Sequence, residues 1–137
     1  RFMLMSTNTA IEYVGEKQSE ALLAYYAAAD CFVFPSYREG FPNTVLEAGA
    51  MGLPSIVTDI NGSREIIVEN ENGVIIPPYD TDALFEAMQR MLTDKKAWSY
   101  MASNARNMIG CRYEQGYVRQ CLLDFYEAVM PETSDDV

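Results

Sequence analysis

The sequence contains no histidine in 137 residues. A His-based catalytic triad or a His-ligated metal is therefore excluded within it, and no metal site is expected. Cysteine is scarce. Cys31, Cys111 and Cys121 are too few and too dispersed for a disulfide framework or a zinc cluster, and Cys31 and Cys121 lie in apolar segments, which predicts reduced, buried thiols. Positive charge is also in short supply, with 10 Lys and Arg against 20 Asp and Glu and a net charge of −10. Nucleic acid is a poor partner for such a chain, because phosphate neutralisation needs clustered cations and these are scattered. An anionic ligand must be held mainly by local dipoles. No apolar run approaches the ~20 residues of a membrane span. No basic segment followed by an apolar stretch opens the chain, so a cytoplasmic location is expected.

What is present is enough apolar material for one core: 49% of residues are hydrophobic and 12% aromatic. Short β-branched or aromatic runs bounded by turn residues predict strands at Ile11 to Val14, Cys31 to Phe34, Ser55 to Thr58 and Val74 to Ile76. Between them, helical spacing predicts helices at Glu20 to Ala29, Thr44 to Met51 and Thr81 to Thr93, with a short turn at Ser63 to Val68. Strand and helix in alternation imply an α/β fold: a Rossmann-like parallel sheet with helices on both faces. In the Thr81 to Thr93 helix, Leu84, Met88, Met91 and Leu92 form the expected core face; Thr81 is the expected cap, and Glu86 is placed to pair with Arg90. Two more helices are expected after Asp94, one through Trp98, Met101, Ala105 and Met108, the other through Val118, Cys121, Leu122, Phe125 and Val129. Residues Arg1 to Ser6 read as the end of a helix, and the polar tail from Pro131 to Val137 is expected to fray.

One stretch concentrates the chemistry: "FPSYREGFPNTVLEA", which leaves a strand, crosses a loop and enters a helix. Open parallel sheets bind ligands just beyond the carboxyl ends of their strands. Asn43 is the expected N-cap, which would leave the amides of Thr44, Val45 and Leu46 free at the positive end of the helix dipole, a diphosphate site. Gly40 lets a ligand come close to the backbone, and Pro42 stiffens the turn. Glu39 and Glu47 bracket these amides. Carboxylates there would repel phosphate unless they face hydroxyls, and sugars supply hydroxyls in neighbouring pairs. Two readings of each acid stand on spacing alone: a ligand contact, or an ordinary charge, solvated at Glu39 and complementing the helix dipole at Glu47.

These residues resemble the nucleotide-sugar-binding domain of the retaining glycosyltransferases of family 4, also called glycosyl transferases group 1. The similarity runs through "IEYVG", "YYAAADCFVFPS", "EGFPNTVLEAGAMGLPSIVTDINGSREII" and "NGVIIPPYD" to a late "FYEAV". It implies the C-terminal half of a GT-B type enzyme, here an incomplete domain covering residues 1–137. The implied reaction is transfer of a hexose from a nucleoside-diphosphate sugar, UDP- or GDP-linked, to an acceptor hydroxyl with retention, in bacterial surface polysaccharide synthesis. No separate cofactor is implied. Position by position, Glu39, Gly40 and Phe41 would meet the donor sugar; Asn43, Thr44, Val45 and Leu46 the diphosphate; Glu47 the ribose; and Val14, Gly15, Pro35 and Ser36 the base. Gly62 matches a glycine of the next loop, read here as a turn before a helix. The family's catalytic groups and its site for a saccharide or lipid-linked acceptor lie on an N-terminal domain, so the chain is expected to bind donor without sustained turnover, with the full-length enzyme peripheral at the inner face of the membrane. In the family's sheet two strands absent from this chain lie between those matching Ile11 to Val14 and Cys31 to Phe34, so Ile11 to Val14 would lose its neighbours and is expected either to pair in a new place, such as with another copy of the chain, or to order poorly. A non-catalytic module of the same fold, binding a nucleotide sugar or a protein partner, is the alternative reading.

Overall fold

The computed structural model describes residues 10–130. The expected helix end at Arg1 to Ser6 and the tail from Pro131 lie outside them. Among the described residues three strands form one parallel sheet in the order β1 (Phe32–Phe34), β2 (Ser55–Thr58), β3 (Gly73–Ile76). Val33 aligns with Ile56 and Ile56 with Val74, so the rows run straight across the sheet. Around it lie α1 (Ser19–Ala28), α2 (Asn43–Ala50), α3 (Ser63–Ile66), α4 (Thr81–Thr93), α5 (Lys95–Tyr113) and α6 (Gln115–Val129).

The central strand shows why both faces are covered. All four residues of β2 are buried, and neighbours along a strand point to opposite faces. Ile56 packs with Val74 and Ile76 against Ala87 and Met91 of α4 and Met101 of α5. Val57, one residue on, packs with Val45 of α2, Ile66 of α3, Ile67 and Ile109 of α5. A fully buried Ile or Val is worth about 1.5–3 kcal/mol, so this pair of alternating residues fastens the two helical layers to one sheet. The 19-residue α5 serves both layers, and it passes α2 so closely that a Cβ on Gly49 would stand 2.7 Å from the Ile109 side chain. In a third cluster, Tyr26 of α1 meets Ala48 and Leu53.

Several expectations are corrected. Ile11 to Val14 forms no strand, and Ile11 and Tyr13 are exposed; a short strand needs a ladder partner, and the sheet among the described residues holds none for it. Asp80, not Thr81, caps α4, accepting from the Ala83 amide at 2.9 Å. Within α4 the expected Leu84 and Met91 do face the core, together with Ala83 and Ala87, but Met88 and Leu92 are exposed. The Glu86 to Arg90 pair does not form; the one ion pair among the described residues joins Arg64 to Asp59. Cys121 is exposed rather than buried, because α6 buries none of its residues; Cys111, on the outer side of α5, is exposed too, and Cys31 is half-buried. All three thiols are free.

Candidate functional site

The loop from Pro35 to Pro42 leaves the carboxyl end of β1 and delivers the chain into α2. Its shape is set by short-range bonds. Thr58, buried at the end of β2, donates its hydroxyl to the Ser36 carbonyl and so ties the loop to the neighbouring strand end. Ser36 donates its own hydroxyl to Glu39 Oε1 at 2.7 Å. Glu39 is thereby aimed and half-buried, with its second carboxylate oxygen not engaged by that bond. A hydroxyl bonded to a carboxylate is among the stronger neutral-to-charged contacts and fixes the acid's direction.

At the start of α2 the expected cap is corrected. Asn43 is the first helical residue, Pro42 occupies the cap position, and no side chain caps the helix. The Pro42 carbonyl accepts from the Val45 amide at 3.0 Å and from Leu46 at 3.5 Å. Val45 and Leu46 amides are therefore inside the helix ladder, and the amides without a partner among the described residues are those of Asn43 and Thr44. Asn43 is exposed and Thr44 half-exposed, so both are open to an anion at the positive end of the dipole. Gly40 has ordinary backbone dihedrals, and a Cβ there would meet nothing within 4 Å. Its value is open space beside the chain.

Glu47 lies in the second turn of α2, not the first, so dipole stabilisation does not account for it. It is exposed, and its Oε2 accepts from the hydroxyl of Tyr26 at 3.3 Å. Tyr26 is buried and also donates toward the Thr44 carbonyl at 3.5 Å, linking α1 to both ends of the helix's first five residues. Burial, then the Glu47 charge and hydrogen bond, push the Tyr26 hydroxyl up to about 12. Phe41 is exposed and its ring lies 5.7 Å from that of Tyr113. Of the residues expected at the base, Val14 is half-buried, Gly15 turns the chain with φ of 71°, and Pro35 lines a small cavity with Tyr37 and Tyr79.

The loop after β2 completes the rim. Gly62, the cap residue of α3 with φ of 82°, lies against Gly40, so it is a turn and also a packing contact with the candidate site. Arg64 bonds Asp59 at 3.2 Å and Asn61 at 3.1 Å, and these three side chains face Arg38 and Glu39 across an open cleft of about 380 Å³. The Tyr26 to Glu47 and Gly62 to Gly40 contacts have no sequence signature, since they join elements that only the fold brings together, and Ser36 to Glu39, three residues apart, depends on how the loop turns.

Residues 5–108 match the sequence model of the family described as Glycosyl transferases group 1. The chain belongs to that family. Among curated relatives of this chain, the Staphylococcus aureus "Capsular polysaccharide biosynthesis glycosyltransferase CapM" is 27% identical over 111 residues, covering 81% of this chain and 29% of the relative. The Escherichia coli "UDP-Gal:alpha-D-GlcNAc-diphosphoundecaprenol alpha-1,3-galactosyltransferase" is 42% identical over 82 residues, 60% of this chain and 21% of that protein. The chain thus spans less than a third of the length of these curated relatives. Among solved structures, Anabaena HepE in complex with UDP-glucose superposes with a TM-score of 0.81 at 19% identity, over 93% of this chain and 35% of that one. The three-stranded sheet is accordingly part of a Rossmann-like domain of GT-B glycosyltransferase type. No helix among the described residues is long and apolar enough to cross a membrane.

Proposed function

We propose that this chain holds the donor of a retaining hexosyltransferase of bacterial surface polysaccharide synthesis, and that it is the C-terminal part of the donor-binding domain. The observation that carries this reading is the arrangement beyond β1, where two carboxylates, each held by a neighbouring hydroxyl, flank the free amides of a helix start. Glu39 accepts hydrogen bonds from hydroxyls of the hexose, beside the open backbone of Gly40 and Phe41. The amides of Asn43 and Thr44, with the dipole of α2, receive the diphosphate; Val45 and Leu46 contribute through that dipole. Glu47 takes the ribose, and Val14, Gly15, Pro35 and Ser36 border the base. UDP is favoured as the nucleotide, since the names of the Escherichia coli relative and of the Anabaena structure both contain a UDP sugar.

In such a transfer the bond between the anomeric carbon and the diphosphate oxygen breaks, and negative charge grows on the leaving diphosphate. Preorganised N–H groups aimed at that charge lower the barrier, because they are worth more where charge develops than in the ground state. The acceptor, saccharide or lipid-linked, and the groups that complete the chemistry are assigned to the remainder of a longer protein.

Calorimetry with UDP, GDP and ADP sugars tests this. Glu47→Ala is expected to weaken nucleotide binding at least tenfold, about 1.4 kcal/mol. Glu39→Ala is expected to remove the difference in affinity between the sugar nucleotide and the bare nucleotide. Unchanged nucleotide affinity in Glu47→Ala would sink the ribose assignment. Binding that ignores both substitutions would favour the non-catalytic module.

A further inference from the structure

Tyr37 and Tyr79 come from different loops and meet at the carboxyl ends of the strands. Their rings stack face to face, with centroids 4.3 Å apart and planes 12° from parallel. Burial does not explain the pair, since Tyr37 is 60% exposed and Tyr79 78%. Nor does backbone preference. Tyr79 has φ of 64°, in the left-handed region that a bulky side chain rarely enters. The next residue, Asp80, caps α4, so the turn that starts the helix sets Tyr79 in this conformation and brings its ring over Tyr37. The chain therefore keeps a disfavoured backbone state and two large apolar faces in water, and gains no core by it. Such costs persist where they serve a ligand.

The surroundings indicate the ligand's chemistry. Tyr37 and Tyr79 wall one side of a cavity of about 120 Å³ that runs over Pro35, Thr58 and Pro77, next to the residues assigned to the base. Tyr37 also borders the 380 Å³ cleft that carries Glu39, Asp59, Asn61 and Arg64. One aromatic pair thus stands at the junction of an apolar hollow and a polar cleft rich in donors and acceptors. A pyranose ring has matching surfaces: C–H groups on one face that lie on an aromatic plane, and hydroxyls at its rim that reach carboxylate, amide and guanidinium groups. The cleft balances two carboxylates, Glu39 and Asp59, with two guanidinium groups, Arg38 and Arg64, the latter paired with Asp59, so it offers neutral hydroxyls both donors and acceptors.

We propose that Tyr37 and Tyr79 form a stacking platform for a pyranose ring. The ring belongs either to the donor's hexose or to a saccharide acceptor. This deepens the donor-site reading, on which it rests for the class of ligand.

The test is saturation-transfer NMR on the protein with methyl α-D-glucopyranoside and methyl α-D-galactopyranoside, irradiating aromatic protons. Transfer to glycoside C–H protons is expected, kept in Tyr79→Phe and reduced at least tenfold in Tyr79→Gly and Tyr37→Ala. Glycine suits the left-handed position, so Tyr79→Gly keeps the fold and its thermal midpoint serves as the check. Displacement of the glycoside by UDP-glucose but not by UDP assigns the platform to the donor hexose; simultaneous binding of glycoside and UDP-glucose assigns it to an acceptor. Either result supports the platform. No transfer in the parent protein, or equal transfer in both ring-deleted variants, overturns it. Calorimetry with UDP alone on the parent protein is the separate check: absence of UDP binding would overturn the donor-site reading without bearing on glycoside transfer at the two rings.

Discussion

Gly62 stands so close to Gly40 that a Cβ on Gly62 would collide with the Gly40 carbonyl oxygen and crowd Pro42. Two loops from successive strands are in this way locked together at one backbone contact, and the second loop supports the site-bearing first one. Gly62→Ala meets both that clash and a φ of 82°. This positive-φ conformation, with ψ of −52°, alone costs a residue with a Cβ about 1–3 kcal/mol, and backbone cannot swing aside as a side chain can. We expect a loss of at least about 2 kcal/mol in urea unfolding, with weaker sugar-nucleotide binding. Gly40→Ala, facing open space, is expected to leave stability unchanged and to alter binding only.

Tyr26 gives the protein a base-sensitive site. Its hydroxyl is raised from 10.0 to about 12 by burial and by Glu47, so the folded state keeps a proton that the unfolded chain releases. The sign follows: the stabilisation is complete below pH 10 and falls as pH rises from 10 toward 12. Tyr26→Phe is expected to flatten stability against pH over that interval. A pH dependence identical to that of the parent chain would refute the assignment.

Asn72 is buried and closes the turn between α3 and β3, donating to the Ile66 carbonyl at 3.0 Å and accepting from the Val68 amide at 2.7 Å. Asn72→Ala removes both partners at once. An unsatisfied buried group costs about 1–3 kcal/mol, so chemical denaturation is expected to show a loss of about 2–4 kcal/mol. Asn72→Asp keeps the acceptor for Val68 and sets a carboxylate against the Ile66 carbonyl; it is expected to be destabilised as well.

The three thiols differ in reactivity. Burial pushes the Cys31 thiol up to about 11, with Asp30 adding to the shift against a backbone hydrogen bond from Ile56. The thiolate is the reactive form. At pH 8 an alkylating reagent is expected to label the exposed Cys111 and Cys121 well before Cys31. Labelling of all three at one rate would contradict the burial of Cys31.

The α/β alternation was legible in the sequence because period and turn chemistry act locally: "CFVF", "SIVT" and "GVII" carry β-branched or aromatic residues between breakers, and all three contribute strands. Ile11 to Val14 has the same local character and forms none, since pairing is a property of neighbours and not of the segment. The site was legible in part. Glu39 and Glu47 stand out by composition, but what orients them, Ser36 and Tyr26, depends on a turn geometry and on a helix packed 21 residues away. Cap positions slipped by one residue at both α2 and α4, where Pro42 and Asp80 displaced Asn43 and Thr81.

α6 buries none of its residues and presents Val118, Leu122, Phe125 and Val129 to solvent. At neutral pH a net charge of −10 opposes association of copies of the chain through this stripe. That repulsion is colloidal and not structural. It fades toward the isoelectric point near 4.3, and added salt screens it at any pH. Acid or salt therefore exposes the chain to clumping through a fully folded helix, with no unfolding step required.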